Sequence, residues 1–89
     1  MNQNSSATPV PLHTLLRNRR KELSLFQAQI AEELRVTPEC IAQWECGRRR
    51  MELSKLPRIA VALQIDAREL CVKALAEFYP LLFATLFGK

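Results

Sequence analysis

Two glycines, one histidine and one tryptophan are all that this 89-residue chain contains of those residues, and it has no long run in which apolar and polar residues alternate. Strands and tight hairpins need such alternation and such turn residues, so an all-α fold is expected. With one histidine, no Gly-rich phosphate loop and no nucleophile paired with a base, the chain lacks the means of a catalytic site, and no enzyme activity is expected. Cys40, Cys46 and Cys71 are odd in number, have no CxxC spacing and stand far from His13. No metal or cofactor is therefore expected, and the thiols are expected to be reduced. No apolar run opens the chain, which points to a cytoplasmic protein. The apolar stretch from Phe78 to Phe87 is about half the length needed to cross a bilayer, so no membrane partner is expected and the stretch reads as a packing surface.

What is present is a chain with 48% hydrophobic residues, enough for one small domain with a compact core. A net charge of +4 favours a polyanionic partner, and its distribution says more than its sum. Arg17, Arg19, Arg20 and Lys21 form one basic cluster and Arg48, Arg49 and Arg50 another, whereas the tail from Cys71 carries only Lys73, Glu77 and Lys89 as charges.

The stretch QAQIAEELRVTPECIAQWECG, from Gln27 to Gly47, reads as two short helices around a turn. Ile30, Ala31 and Leu34 share one helical face, and Gln27, Gln29, Glu32 and Glu33 lie away from it. Arg35-Val36-Thr37 breaks this pattern. Thr37 is suited to N-cap a new helix, and Pro38 to its first position, where the missing N–H is harmless. Ile41 and Trp44 give that helix its apolar face, and Gly47 tolerates the left-handed conformation in which helices often end.

Together with LLRNRRKELSL before it and LSKLPRIAVALQI after it, this stretch resembles the lambda-repressor-like Cro/C1 (XRE) helix-turn-helix family over roughly Leu12 to Leu70. The resemblance rests on Gln27, the Ile30-Ala31 pair, Val36-Thr37, Ile41, Trp44-Glu45 and Gly47 followed by basic residues. It implies a five-helix DNA-binding domain, here with a short additional C-terminal helix. Three positions depart from the family pattern: Ser24 and Arg35 stand where it usually has Gly, and Phe26 where it has Ser or Thr. Ser24-x-x-Gln27 offers a capping box that would start the second helix about two residues early, and Arg35 must either turn left-handed or alter the turn.

Along the chain, residues 1–10 (MNQNSSATPV) are expected to form a disordered arm, residues 11–70 the helix-turn-helix domain and residues 71–89 a helical extension. Leu12, Leu15, Leu16 and Leu23 stripe a first helix. Ser54 is expected to cap a fourth helix striped by Leu56, Ile59, Ala60 and Leu63, with Pro57 in its first turn. Asp66-x-x-Glu69 opens a fifth through Leu70, Leu75 and Phe78. Pro80 ends or kinks it, and a sixth follows, closed by Gly88.

In helix-turn-helix proteins the second helix of the motif presents its N-terminal residues to base edges, which here are Thr37, Pro38, Glu39 and Cys40, with Gln43 one turn on. Gln43 suits adenine, Glu39 suits cytosine N4, Thr37 a phosphate or base, and Pro38 a thymine methyl. Gln27 stands where the family often contacts phosphate, and Arg17, Arg48, Arg49 and Arg50 are further candidates. Blander readings exist for each: solvated helix faces for Gln27, Glu39 and Gln43, a solvated loop for the arginine triplet, and a structural ion pair for Glu45. Cys40 is either a redox-sensitive group or simply a small residue.

The expected partner is double-stranded DNA, bound by a homodimeric transcriptional regulator, since one short reading helix contacts few bases and two half-sites remedy this. Phe78, Leu81, Leu82, Phe83, Leu86 and Phe87 are the candidate dimer interface, unless the sixth helix folds back to complete the monomer core. The competing function is an antitoxin-like module whose apolar tail masks a protein partner.

Overall fold

A computed structural model describes residues 10–88. Six helices follow one another: α1 (Leu12–Glu22), α2 (Gln27–Leu34), α3 (Pro38–Glu45), α4 (Leu56–Leu63), α5 (Ala67–Phe78) and α6 (Pro80–Phe87), with a 3-10 turn at Leu53–Lys55. The all-α class and the six-helix order expected from the sequence are present. Of the arm expected at residues 1–10, all but Val10 lies outside the described residues.

The scarcity of glycine has a direct structural result. Four helices end in the same way, on a residue of positive φ: Ser24 (58°), Arg35 (60°), Gly47 (80°) and Gln64 (55°). Behind each lies a Schellman pattern of backbone bonds. Past α1, Leu25 N–H donates to Arg20 O and Ser24 N–H to Lys21 O, both at 3.0 Å. The same pair recurs past α2 from Val36 and Arg35, past α3 from Arg48 and Gly47, and past α4 from Ile65 and Gln64. At the three non-glycine ends, the next residue (Leu25, Val36 or Ile65) packs against the core. That burial offsets the left-handed strain of the residue before it. Gly47 has no such apolar neighbour, and a Cβ there would stand 2.9 Å from His13 Nε2. Glycine is needed where the following residue is a solvated arginine and a ring crowds the turn.

Two expected caps differ. Ser24 is in the left-handed turn of α1, so it cannot cap α2, which starts at Gln27 with Phe26 before it; instead Gln29 Oε1 accepts from Phe26 N–H at 2.6 Å. Ser54 falls inside the 3-10 turn, and α4 begins at Leu56 with no side-chain cap. Asp66 does cap α5, accepting from Glu69 N–H at 3.0 Å.

The core collects Leu12 and Leu16 from α1, Ile30, Ala31 and Leu34 from α2, Ile41 and Trp44 from α3, Leu56, Ile59, Ala60 and Leu63 from α4, and Leu70 and Ala74 from α5, closed by Met51. α6 adds no buried residue and rests on α5. Leu81 is 84% exposed, Leu86 63%, and Leu82 and Phe87 53% each. α6 therefore does not complete the core.

Candidate nucleic-acid interface

α3 is held from both ends. At its start Thr37 Oγ1 accepts from Cys40 N–H at 3.1 Å, and Pro38 occupies the first turn. Thr37 still has its hydroxyl proton to donate outward. At its other end, Glu45 is 8% exposed and takes a bidentate pair from Arg20, Nε to Oε2 at 2.7 Å and Nη2 to Oε1 at 2.9 Å. Arg20 Nη1 also donates to Leu25 O at 2.7 Å, and Gln27 Nε2 to Glu45 Oε1 at 3.0 Å. The hydrogen bond and the charge of Glu45 raise the Arg20 pKa above its ordinary value, against the opposing pull of burial. One carboxylate thus ties the ends of α1, α2 and α3 together. His13 adds a fourth tie, its Nδ1 lying 3.1 Å from Glu45 O, which requires the proton on Nδ1.

Ile41 and Trp44 point into the core, so the opposite face of α3 is turned outward. Thr37, Pro38, Glu39 and Gln43 are exposed on it, with Glu39 and Gln43 one turn apart on the same face. Cys40 is half-buried and packs against the core, which leaves it less surface than the other four. The structure brings all five to one helix, the first four to one open surface.

The cationic candidates separate. Arg17, Arg48 and Arg49 are exposed, and among the described residues their side chains make no hydrogen bond or ion pair. Arg48 and Arg49 are positioned through their backbone: both N–H groups donate to Gln43 O, at 3.0 and 3.2 Å. Arg50 is placed differently, its guanidinium carbon 4.7 Å from the Phe78 ring centre and 5.9 Å from that of Tyr79. Gln27 is half-buried, with its amide on Glu45, so its position at the start of α2 is fixed before any ligand arrives. Arg19 turns to α4, donating to Leu63 O at 2.9 Å and Gln64 O at 3.3 Å.

Of the tail candidates, Leu81, Leu82, Leu86 and Phe87 share one exposed helix, and the Phe83 ring packs tilted against Phe87 with ring centres 5.0 Å apart. Phe78 does not belong with them: it is half-buried against the core and lies under Arg50. Sequence reasoning missed Lys73 and Glu77, which hold the start of the described chain; Lys73 Nζ donates to Val10 O and Glu77 Oε1 accepts from Leu12 N–H, each at 2.8 Å. Partners more than sixty positions apart leave no local signal.

Among the described residues, no helix is long and apolar enough to cross a membrane. A family model described as Helix-turn-helix matches residues 16–70, more than half of the chain, while no curated protein and no solved structure matches. That match covers the elements that Glu45 joins and the surface that α3 exposes. The chain belongs to the Cro/C1-type (XRE) helix-turn-helix family of DNA-binding transcription regulators.

Proposed function

We propose that the chain is a repressor that binds a two-fold operator as a homodimer, pairing through α6. The reading helix would be α3, with Thr37, Pro38, Glu39, Cys40 and Gln43 toward base edges, and Gln27, Arg17, Arg48 and Arg49 toward phosphates. The observation that carries the dimer is the exposure of Leu81, Leu82, Leu86 and Phe87 on a helix whose own domain core is already filled. Water disfavours such a face by roughly 1.5 to 3 kcal/mol for each large side chain that burial would remove from it. To read two half-sites on successive major grooves, such a dimer must hold its two α3 helices about 34 Å apart. Such a dimer occupies the duplex against other proteins, which supports the reading as a repressor.

The test joins selection of bound sites from a random duplex pool with sedimentation of the free protein. Palindromic sites with one helical turn between half-site centres and a dimeric free protein are expected. Binding should weaken with salt, at a log–log slope of roughly −5 if about six phosphates are neutralised. A slope near zero overturns DNA binding through this face. A chain that stays monomeric and co-purifies with a second small protein would instead support the partner-masking reading of α6.

A further inference from the structure

We propose that Arg50 is a positioning residue that holds the joint between α5 and α6, and so fixes the spacing of the two reading helices, rather than a phosphate contact. This inference rests on the reading of α6 as the two-fold interface.

The joint is Tyr79, with φ −136° and ψ 65°, outside helical geometry. Backbone bonds run to it from both sides: Tyr79 N–H donates to Leu75 O at 2.8 Å, and Phe83 N–H to Tyr79 O at 2.9 Å. Pro80 follows and has no N–H to donate, so no bond from it steadies the turn. The angle at which α6 leaves α5 therefore depends on its packing against α5 and on what grips Phe78 and Tyr79 from outside. Arg50 touches both rings, at 4.7 and 5.9 Å, within the range of cation–π attraction.

On its other side Arg50 belongs to the loop that follows α3. Two positions and one position before it, Arg48 N–H and Arg49 N–H close on Gln43 O, the backbone of a candidate base reader. One position after it, Met51 is buried in the core. A side chain placed between two such anchors has little freedom at its root. A continuous path results, from Gln43 through the loop and Arg50 to Phe78 and Tyr79 and on to α6. Arg48 and Arg49 already offer solvated cations beside α3, whereas the Arg50 guanidinium is already engaged over the Phe78 and Tyr79 rings.

The experiment compares Arg50→Ala, Arg50→Lys, Tyr79→Ala, the double variant and Arg49→Ala on a selected half-site duplex and on full sites with the two half-sites moved apart one base pair at a time. Circular dichroism and sedimentation on the same samples report folding and pairing. Arg50→Ala should keep half-site affinity within about twofold and leave the salt slope unchanged, while losing about tenfold of the preference for one spacing. Tyr79→Ala, which leaves the nearer Phe78 ring under Arg50, should lose part of that preference, and the double variant should lose no more than Arg50→Ala alone. Arg50→Lys, a weaker partner for the rings but still a cation, should fall between. Arg49→Ala should weaken half-site and full-site binding alike and reduce the salt slope by about 1. If Arg50→Ala instead behaves as Arg49→Ala does, or changes neither affinity nor spacing preference in a protein that is a dimer, the proposal is overturned and the dimer stands. A monomeric wild type at all concentrations overturns both.

Discussion

α3 and α6 are both eight-residue helices that begin on proline, yet the first is locked in place and the second is bare. α3 buries Ile41, Trp44 and Glu45 and has Thr37 as a bonded cap; α6 buries nothing, and Tyr79 provides no cap. Helices this short are marginal in water, so propensity cannot explain why either persists. α3 persists because its apolar face fits a core and its one buried charge meets Arg20. α6 is apolar on nearly every side and rests chiefly on α5. The difference teaches that apolar content does not decide burial; the presence of polar residues on the opposite face does, because they tell the helix which side to turn inward. A helix such as α6, without that instruction, remains available to a second surface.

The largest effect should come from breaking the lock on α3. Arg20→Ala leaves the Glu45 carboxylate buried without its cation and removes the donor to Leu25 O as well, which should destabilise the fold by about 3 to 5 kcal/mol. For a domain of this size that is a large share of the total. Urea unfolding followed by tryptophan fluorescence, with Trp44 as the one reporter, measures it. Unchanged stability together with weaker DNA binding would make Arg20 a phosphate contact and the ion pair incidental.

Breaking the bare side should do something different. Replacing Leu82 and Phe83 by Ser should leave helix content and Trp44 fluorescence nearly as they are, turn a dimer into monomer, and weaken full-operator binding more than half-site binding. Loss of fold along with pairing would show α6 to be a support of the core, and the contrast with α3 would fail.

A smaller effect sharpens the role of α3 itself. Gln43→Ala and Glu39→Ala should each lose about 1 to 3 kcal/mol of discrimination at particular bases, read by comparing specific with scrambled duplexes. Equal losses on both duplexes would reduce these residues to general contacts.

How much of this was legible in the sequence follows from how far each residue's partners lie along the chain. The starts of α2 at Gln27 and α3 at Pro38, and the cap of α5 at Asp66, depend on residues within one turn, and periodicity and capping rules reach that far. Arg19, Arg20 and Arg50 read alike as members of basic clusters, but their partners at Leu63, Glu45 and Phe78 lie on other helices. Only the fold separates them from Arg17, Arg48 and Arg49. Ser54 shows the opposite failure: a good capping residue was overridden by a 3-10 turn that delays α4 to Leu56. The left-handed ends at Ser24 and Gln64 did leave a signal, a polar residue followed by one apolar residue just past a helix stripe, the same pattern that Arg35-Val36 displays.

That pattern carries the smallest prediction and returns to the comparison of regions, because left-handed non-glycine residues end α1, α2 and α4 but not α5 or α6. The packed part of the molecule tolerates strain that its tail does not contain. A left-handed residue with a side chain is disfavoured by roughly 1 to 2 kcal/mol, and glycine removes that strain while adding about 0.4 to 1 kcal/mol of unfolded-state entropy. The net for Ser24→Gly should be a gain of about 0.5 to 1 kcal/mol, seen as a higher urea midpoint with an unchanged slope. Ser24 is the best position for this test, since it is exposed and its replacement removes no charge, whereas Arg35→Gly and DNA affinity could change together. DNA binding by the Ser24 variant should match the wild type. A loss of stability would mean that the Leu25 contact behind it, and not the backbone angle, governs how α1 ends.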